Sequence, residues 1–168
     1  IGASSIVDMF TDVEYPNMDR KEIKYFLESE FKIHKGTETL SENAMGYSIF
    51  LGDDIDFPIK LDLFYTEPFI YPKKEIDGIR LADPREIIAM KMLAVGGPIK
   101  RQKDFWDIHK LLESYDLKQM LELHKRRHEW EHEDEQVLNS LINFEEANEM
   151  EDPICLEHKD WDNIKLDI

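Results

Sequence analysis

Cysteine occurs once, at Cys155, which excludes an internal disulfide and a multi-cysteine zinc site. No apolar run approaches the ~20 residues that a bilayer-spanning helix needs, and no charged-then-apolar leader opens the chain. The expectation is a soluble, cytoplasmic protein with no membrane role. Positive charge is scarce as well. Against 37 Asp and Glu stand 21 Lys and Arg, a net charge of −16 with a pI near 4.7. A nucleic-acid backbone would be repelled over most of such a surface, which argues against non-specific binding to nucleic acid. The two basic clusters are Lys100-Arg101-Gln102-Lys103 and Lys125-Arg126-Arg127. Each either balances neighbouring glutamates or holds a phosphate-rich ligand inside an acidic field. With 168 residues, 42% of them hydrophobic, the chain can build one domain with a real core, or one core with a helical extension.

The most strongly marked stretch is residues 77–112. Asp83-Pro84-Arg85-Glu86 has the form of a capping box with proline at the first helical position: Asp83 accepts an orphan amide hydrogen and Glu86 reaches back to the cap amide. In the helix that follows, residues 87–95 carry one charge, Lys91. Either its stem lies on apolar surface while the ammonium reaches water, or the cation is aimed at a cleft and paired with a carboxylate or a ligand phosphate. Gly96-Gly97-Pro98 stops this helix. A second opens with Lys100, Arg101, Lys103, Asp104 and Asp107, and its Phe105, Ile108 and Leu112 recur at core-face spacing. Lys100 with Asp104, and Lys103 with Asp107, are spaced for surface ion pairs.

Upstream, residues 6–10 read as a short buried strand delivering Asp8, an acid that needs a partner or a metal if buried. Residues 17–31 read as a surface helix packed by Ile23, Phe26 and Leu27, and residues 31–39 and 45–51 as strands, the latter with Met45, Tyr47, Ile49 and Leu51 on one side. After a turn at Gly52-Asp53-Asp54, residues 58–64 form a strand with Ile59, Leu61 and Leu63 on one face and Lys60, Asp62 and Phe64 on the other. Asp54-Ile55-Asp56 reads as a solvated hairpin tip rather than a cation site. A proline-fixed loop over residues 67–72 leads to a strand at residues 79–81. Downstream, residues 117–127 are helical, and His124, His128 and His132 share a four-residue spacing that could suit a transition metal. The high charge around them favours a solvated face. Residues 137–144 read as a last helix, and the tail, with Pro153, Cys155, Trp161 and Ile164, as packed on the domain.

Asp8 and Asp62 on two strands, with Lys91 on a later helix, suggest a carboxylate pair for a hard cation and a phosphate-facing ammonium. Magnesium takes oxygen ligands of this kind, with waters and substrate phosphates completing its shell. The expectation is that the two acids and the ammonium converge on one pocket.

The runs IRLADPREIIAMK and KDFWDIHKLL, together with the upstream order of strands and helices, closely resemble the AbiEii/AbiGii toxin family of nucleotidyltransferase-like proteins over most of the chain. The resemblance implies an α/β (α+β) fold: a small mixed sheet flanked by helices over residues 1–82, then a helical C-terminal part over residues 83–168. It implies transfer of a nucleotide from a nucleoside triphosphate to an RNA (tRNA) or protein acceptor with Mg2+, in a bacterial toxin–antitoxin or abortive-infection system with an antitoxin partner. Within that pattern Asp8 resembles the second acid of an Asp-x-Asp pair and Asp62 the third metal-binding carboxylate. Lys91 resembles the helix lysine near the phosphates, and Lys103-Asp104 with Asp107 the basic-Asp-x-x-Asp motif. The expected site is therefore Asp8, Asp62, Lys91 and Asp104 for catalysis, Lys91, Lys103 and Asp107 for nucleotide, and Asp8 and Asp62 for metal.

Two departures stand beside this. The first acid of the pair falls at Ile6, which cannot ligate a metal, and Ile1-Gly2-Ala3-Ser4 is too close to Asp8 to serve as the glycine-rich phosphate turn. The expectation is an inactive chain over residues 1–168: either the missing segment lies upstream and the intact protein is a transferase, or the protein is a degenerate member that binds nucleotide, RNA or a protein partner. A scaffold that docks a basic partner on its acidic surface is a third reading.

Overall fold

The structure, a computed structural model, describes residues 6–34, 45–54, 56–131, 133–150, 152–153, 155 and 157–168. The strand expected over residues 31–39 lies outside these beyond His34, as do Ile55 and His132 of the two spacing patterns. The fold is α+β, and the chain forms two compact units, within Ser4–Phe69 and within Ile70–Ile168.

Among the described residues the first unit is a three-stranded sheet with one covering helix. Its elements are β1 (Ile6–Thr11), α1 (Arg20–Glu30), β2 (Gly46–Leu51) and β3 (Ile59–Tyr65). The strand order is β1-β3-β2, with β1 parallel and β2 antiparallel to β3. Period-two alternation in β2 and β3 buries Tyr47, Ile49, Leu51, Leu61 and Leu63 on one face. Leu27 of α1 packs there, with Met18, Ile23 and Ile33 at the margin. Asp19 caps α1, accepting from the Glu22 amide at 2.9 Å. Ile33 makes a single antiparallel bridge to Leu51.

Three details differ from expectation. β1 is an exposed edge, with Val7 48% and Met9 53% exposed, because the cluster under α1 is built from β2 and β3 and does not extend to it. Phe26 and Met45 are also exposed, so the helix stripe narrows to Leu27 and Ile23, and the buried face of β2 begins at Tyr47. Gly46 is needed where it stands: a Cβ there would meet the Phe64 ring and the Leu63 carbonyl oxygen.

The second unit opens with a hairpin, β4 (Lys74–Ile76) and β5 (Ile79–Leu81), turning at Asp77-Gly78 with positive φ at both residues. Among the described residues six helices follow: α2 (Pro84–Gly96), α3 (Gln102–Leu111), α4 (Leu117–Arg127), α5 (Asp134–Leu141), α6 (Glu145–Asn148) and α7 (Trp161–Asp167). Their core joins Ile88, Met92 and Val95 of α2 to Phe105 and Ile108 of α3, Met120 of α4, Val137 and Leu141 of α5, and Trp161 and Ile164 of α7. The tail packs on the domain as expected, but the last helix is α7, and the expected helix over residues 137–144 ends at Leu141. The Trp161 ring stacks on Trp106 at 5.4 Å, and its indole N–H donates to Asn148 Oδ1 at 2.8 Å.

The start of α2 is half the capping box expected. Asp83 accepts from the Arg85 amide at 3.0 Å and also holds the Arg85 guanidinium; these hydrogen bonds lower its pKa to about 2. Glu86 does not reach back. It is 1% exposed, accepts from the Tyr71 amide at 2.7 Å and forms a buried ion pair with Arg127 of α4. Once Glu86 is buried, its carboxylate needs the Arg127 guanidinium and the Tyr71 amide as partners, because an uncompensated buried charge is costly.

Candidate functional site

In the first unit the pairing of β1 with β3 sets Asp8 directly beside Asp62. Residues in register on neighbouring strands project from the same face, with Cα atoms about 4.8 Å apart. This face, opposite the one under α1, carries Ile6, Asp8 and Phe10 of β1, Lys60, Asp62 and Phe64 of β3, and Ser48 and Phe50 of β2. Asp8 is exposed, whereas Asp62 is 5% exposed and fully engaged. The Ser48 hydroxyl donates to Asp62 Oδ1, and Lys60 Nζ lies 2.7 Å from Oδ2. A buried carboxylate is stable only with such partners. Two strands thus bring together the two acids singled out from the sequence. Ser48 was missed, and Lys60, placed on the face of Asp62 by the period of two, was given no role there.

In the second unit α2 and α3 bring Lys91 to Asp104 and Asp107. Its Nζ lies 2.8 Å from Asp104 Oδ1 and 2.7 Å from Asp107 Oδ2. Burial by itself would depress the ammonium, but the two carboxylates outweigh it and hold the Lys91 pKa above the ordinary lysine value. Asp104, 1% exposed, also takes the Arg101 guanidinium in a fork, Nε to Oδ2 at 2.8 Å and Nη2 to Oδ1 at 3.2 Å. The two acids therefore pair with Lys91 and Arg101, not with the lysines four residues before each. Lys100 is buried, its amide donating to Glu146 at 3.0 Å. Lys103 sits half-buried on α3. The snorkelling reading of Lys91 is replaced by the paired one.

The other candidates resolve more simply. In the second basic cluster Arg127 is committed to Glu86, and Arg126 donates to the Tyr71 hydroxyl at 3.0 Å. His124 is buried, its ring 5.5 Å from that of His128 at the end of α4. Asp54 turns its carboxylate onto the Asp56 amide at 2.9 Å, the local bond of an exposed turn. Among the described residues no group of three or more His, Cys, Asp or Glu is placed to hold a metal ion. The pair Asp8 and Asp62 offers hard carboxylate oxygens on adjacent strands. That suits an ion such as magnesium, which takes one or two protein carboxylates and completes its shell with waters and phosphates, and does not suit a transition-metal cage. Among the described residues, no helix is long and apolar enough to cross a membrane.

Comparison with solved structures finds a crystallised candidate nucleotidyltransferase from H. pylori, superposing with a TM-score of 0.59 at 14% identity over 99% of this chain and 75% of the other. At that identity the likeness establishes the fold. No curated protein matches the sequence. The family model described as the nucleotidyl transferase AbiEii toxin of type IV toxin–antitoxin systems matches residues 8–168. The chain that sets Asp8 beside Asp62 and clasps Lys91 between Asp104 and Asp107 belongs to the AbiEii nucleotidyltransferase toxin family.

Proposed function

We propose that the protein is a cytoplasmic toxin that transfers a nucleotide from a nucleoside triphosphate to a hydroxyl of an RNA or protein acceptor, and that an antitoxin opposes it. The observation that carries this reading is the in-register pairing of Asp8 with Asp62 on one sheet face, in a chain of this family. Asp8 and Asp62 would hold a magnesium ion, which would supply charge neutralisation for the triphosphate. Ser48 keeps the Asp62 carboxylate turned to that face. In the second unit Lys91 carries three N–H donors; two are taken by Asp104 and Asp107, which leaves one for an anionic ligand of that unit. Asp104 is a positioning residue that fixes Lys91 and Arg101, and Lys103 adds positive charge beside them. The acceptor oxygen bonds to the α-phosphorus as pyrophosphate leaves.

The test incubates the full-length protein with labelled triphosphates, magnesium and total RNA. Label transfer is expected, falling by about 100-fold or more in Asp62→Asn and in Asp8→Asn, the scale for loss of a group that stabilises transferring charge. The absence of both transfer and nucleotide binding would overturn the reading. A second reading, a fold without chemistry that holds nucleotide, RNA or a protein, is favoured by Ile6, an apolar residue in register with Lys60 on the acidic face. Nucleotide affinity indifferent both to magnesium and to Asp62→Asn would select it.

A further inference from the structure

We infer that Lys60 is a tethered counter-ion on the Asp8–Asp62 face, which a divalent cation must displace from Asp62 in order to bind. This rests on the metal-binding role given to the two acids above, and concerns a residue to which nothing has yet assigned a role. Lys60 and Asp62 are two apart on β3 and so project from one face. Their charged atoms are 2.7 Å apart, a direct ion pair. The other Asp62 oxygen is taken by the Ser48 hydroxyl, donated from the in-register position on β2. Both Asp62 oxygens are therefore engaged by protein groups. Across the sheet, the residue in register with Lys60 is Ile6, which brings no charge. Asp8, Asp62 and Lys60 together give this stretch of the face a net charge of −1, enough to attract one cation and too little to hold two close together.

The side chains differ in how easily each can move. Lys60 is about one-third exposed and long, so its ammonium can swing to water. The Asp62 carboxylate is nearly inaccessible and held by Ser48. An incoming cation therefore displaces the ammonium rather than recruiting the carboxylate elsewhere. Its affinity is lowered by the broken ion pair and by the positive charge left close by. The lysine offsets one of the two carboxylate charges of the face and sets the cation concentration at which the face becomes loaded.

Direct binding of Mn2+ to the full-length protein, followed by electron paramagnetic resonance of the free ion, tests this without reference to activity. Lys60→Met is expected to bind Mn2+ about tenfold more tightly or better, given the strength of a nearby like charge. Lys60→Gln provides a second variant should the methionine form fold poorly, and Lys60→Arg, which keeps the charge, should bind as weakly as the wild type. Lys118→Met, on the exposed side of α4, changes the net charge equally and controls for the general acidic field. Asp62→Asn should abolish binding. If the wild type binds and Asp62→Asn does not, yet Lys60→Met and Lys60→Gln bind no more tightly than wild type, the counter-ion role is overturned while the metal reading stands. If no form binds Mn2+, the metal reading itself falls.

Discussion

At the scale of single residues, the four charges around Lys91 balance. Lys91 and Arg101 bring two positive charges to Asp104 and Asp107, and the innermost member, Asp104, is the least exposed. Removing the ammonium leaves Asp104 buried with Arg101 as its remaining cation, and Asp107 without its partner from α2. Lys91→Met should therefore cost about 2 kcal/mol of stability, the scale of a charged hydrogen bond. Because the folded-state pKa of Lys91 is raised, its contribution is fully present below the unfolded lysine value of about 10.4 and is lost as pH rises through the folded value. Urea titrations of wild type and variant should show a gap that is constant from pH 7 to about pH 10 and narrows above it. A gap that narrows toward pH 7 would show that the ammonium is not held as described. That Lys91 stands out was legible in the apolar run around it, but that run left a reach to water and a pairing equally open. Which partners it has was not legible, because Asp104 is 13 residues on and reaches it only through the packing of α3 on α2. The Asp8–Asp62 pair was legible to the extent that each acid could be placed on a strand. Their adjacency depends on the parallel register, which no local pattern encodes.

At the scale of elements, the buried pair of Glu86 with Arg127 ties the first turn of α2 to the last turn of α4. The same carboxylate anchors the Tyr71 amide, while the Arg85 guanidinium lies 3.8 Å over the Tyr71 ring. The loop before β4 is thus held by both helices. Arg127→Met strands a buried carboxylate and should cost about 3–5 kcal/mol. Glu86→Gln in the same background keeps the acceptor for Tyr71 but removes the charge, and should recover more than half of that loss. Chemical denaturation of the two variants measures this; equal instability would mean that packing, not charge, is what Arg127 supplies. Glu86 is expected at the cap because Asp-Pro-Arg-Glu has the box spacing, and a local motif carries no information about an arginine 41 residues away. The hairpin of β4 and β5 was within reach. Asp77-Gly78 is a strong signal for its turn, but β4 is only three residues long, too short for alternation to show. α2, α3 and α4 were legible because their apolar spacing and stop signals agree.

At the scale of the whole molecule, 37 acidic residues against 21 basic ones set two opposing responses to salt. The net charge of −16 repels itself in the compact state. Raising salt from 10 to 100 mM shortens the screening length from about 30 to about 10 Å, which relieves that repulsion. Local ion pairs respond in the other direction. Lys110 and Lys159 bridge Glu113 and Glu157 at the surface, at 2.7 to 3.7 Å, and hold the Glu113 carboxyl down at about 2. Exposed pairs of this kind contribute little each, about 0–1 kcal/mol, and those made by buried groups such as Asp62, Glu86 and Asp104 are shielded from salt. Long-range repulsion should therefore win. Thermal unfolding at pH 7 is expected to shift to higher temperature, by a few degrees, as sodium chloride rises from 10 to 100 mM. A midpoint that falls with salt would mean that the surface pairs outweigh the net charge. The same field bears on polyanions: affinity for bulk RNA at physiological salt should stay below detection, since a net charge of −16 repels a phosphate backbone over most of the surface.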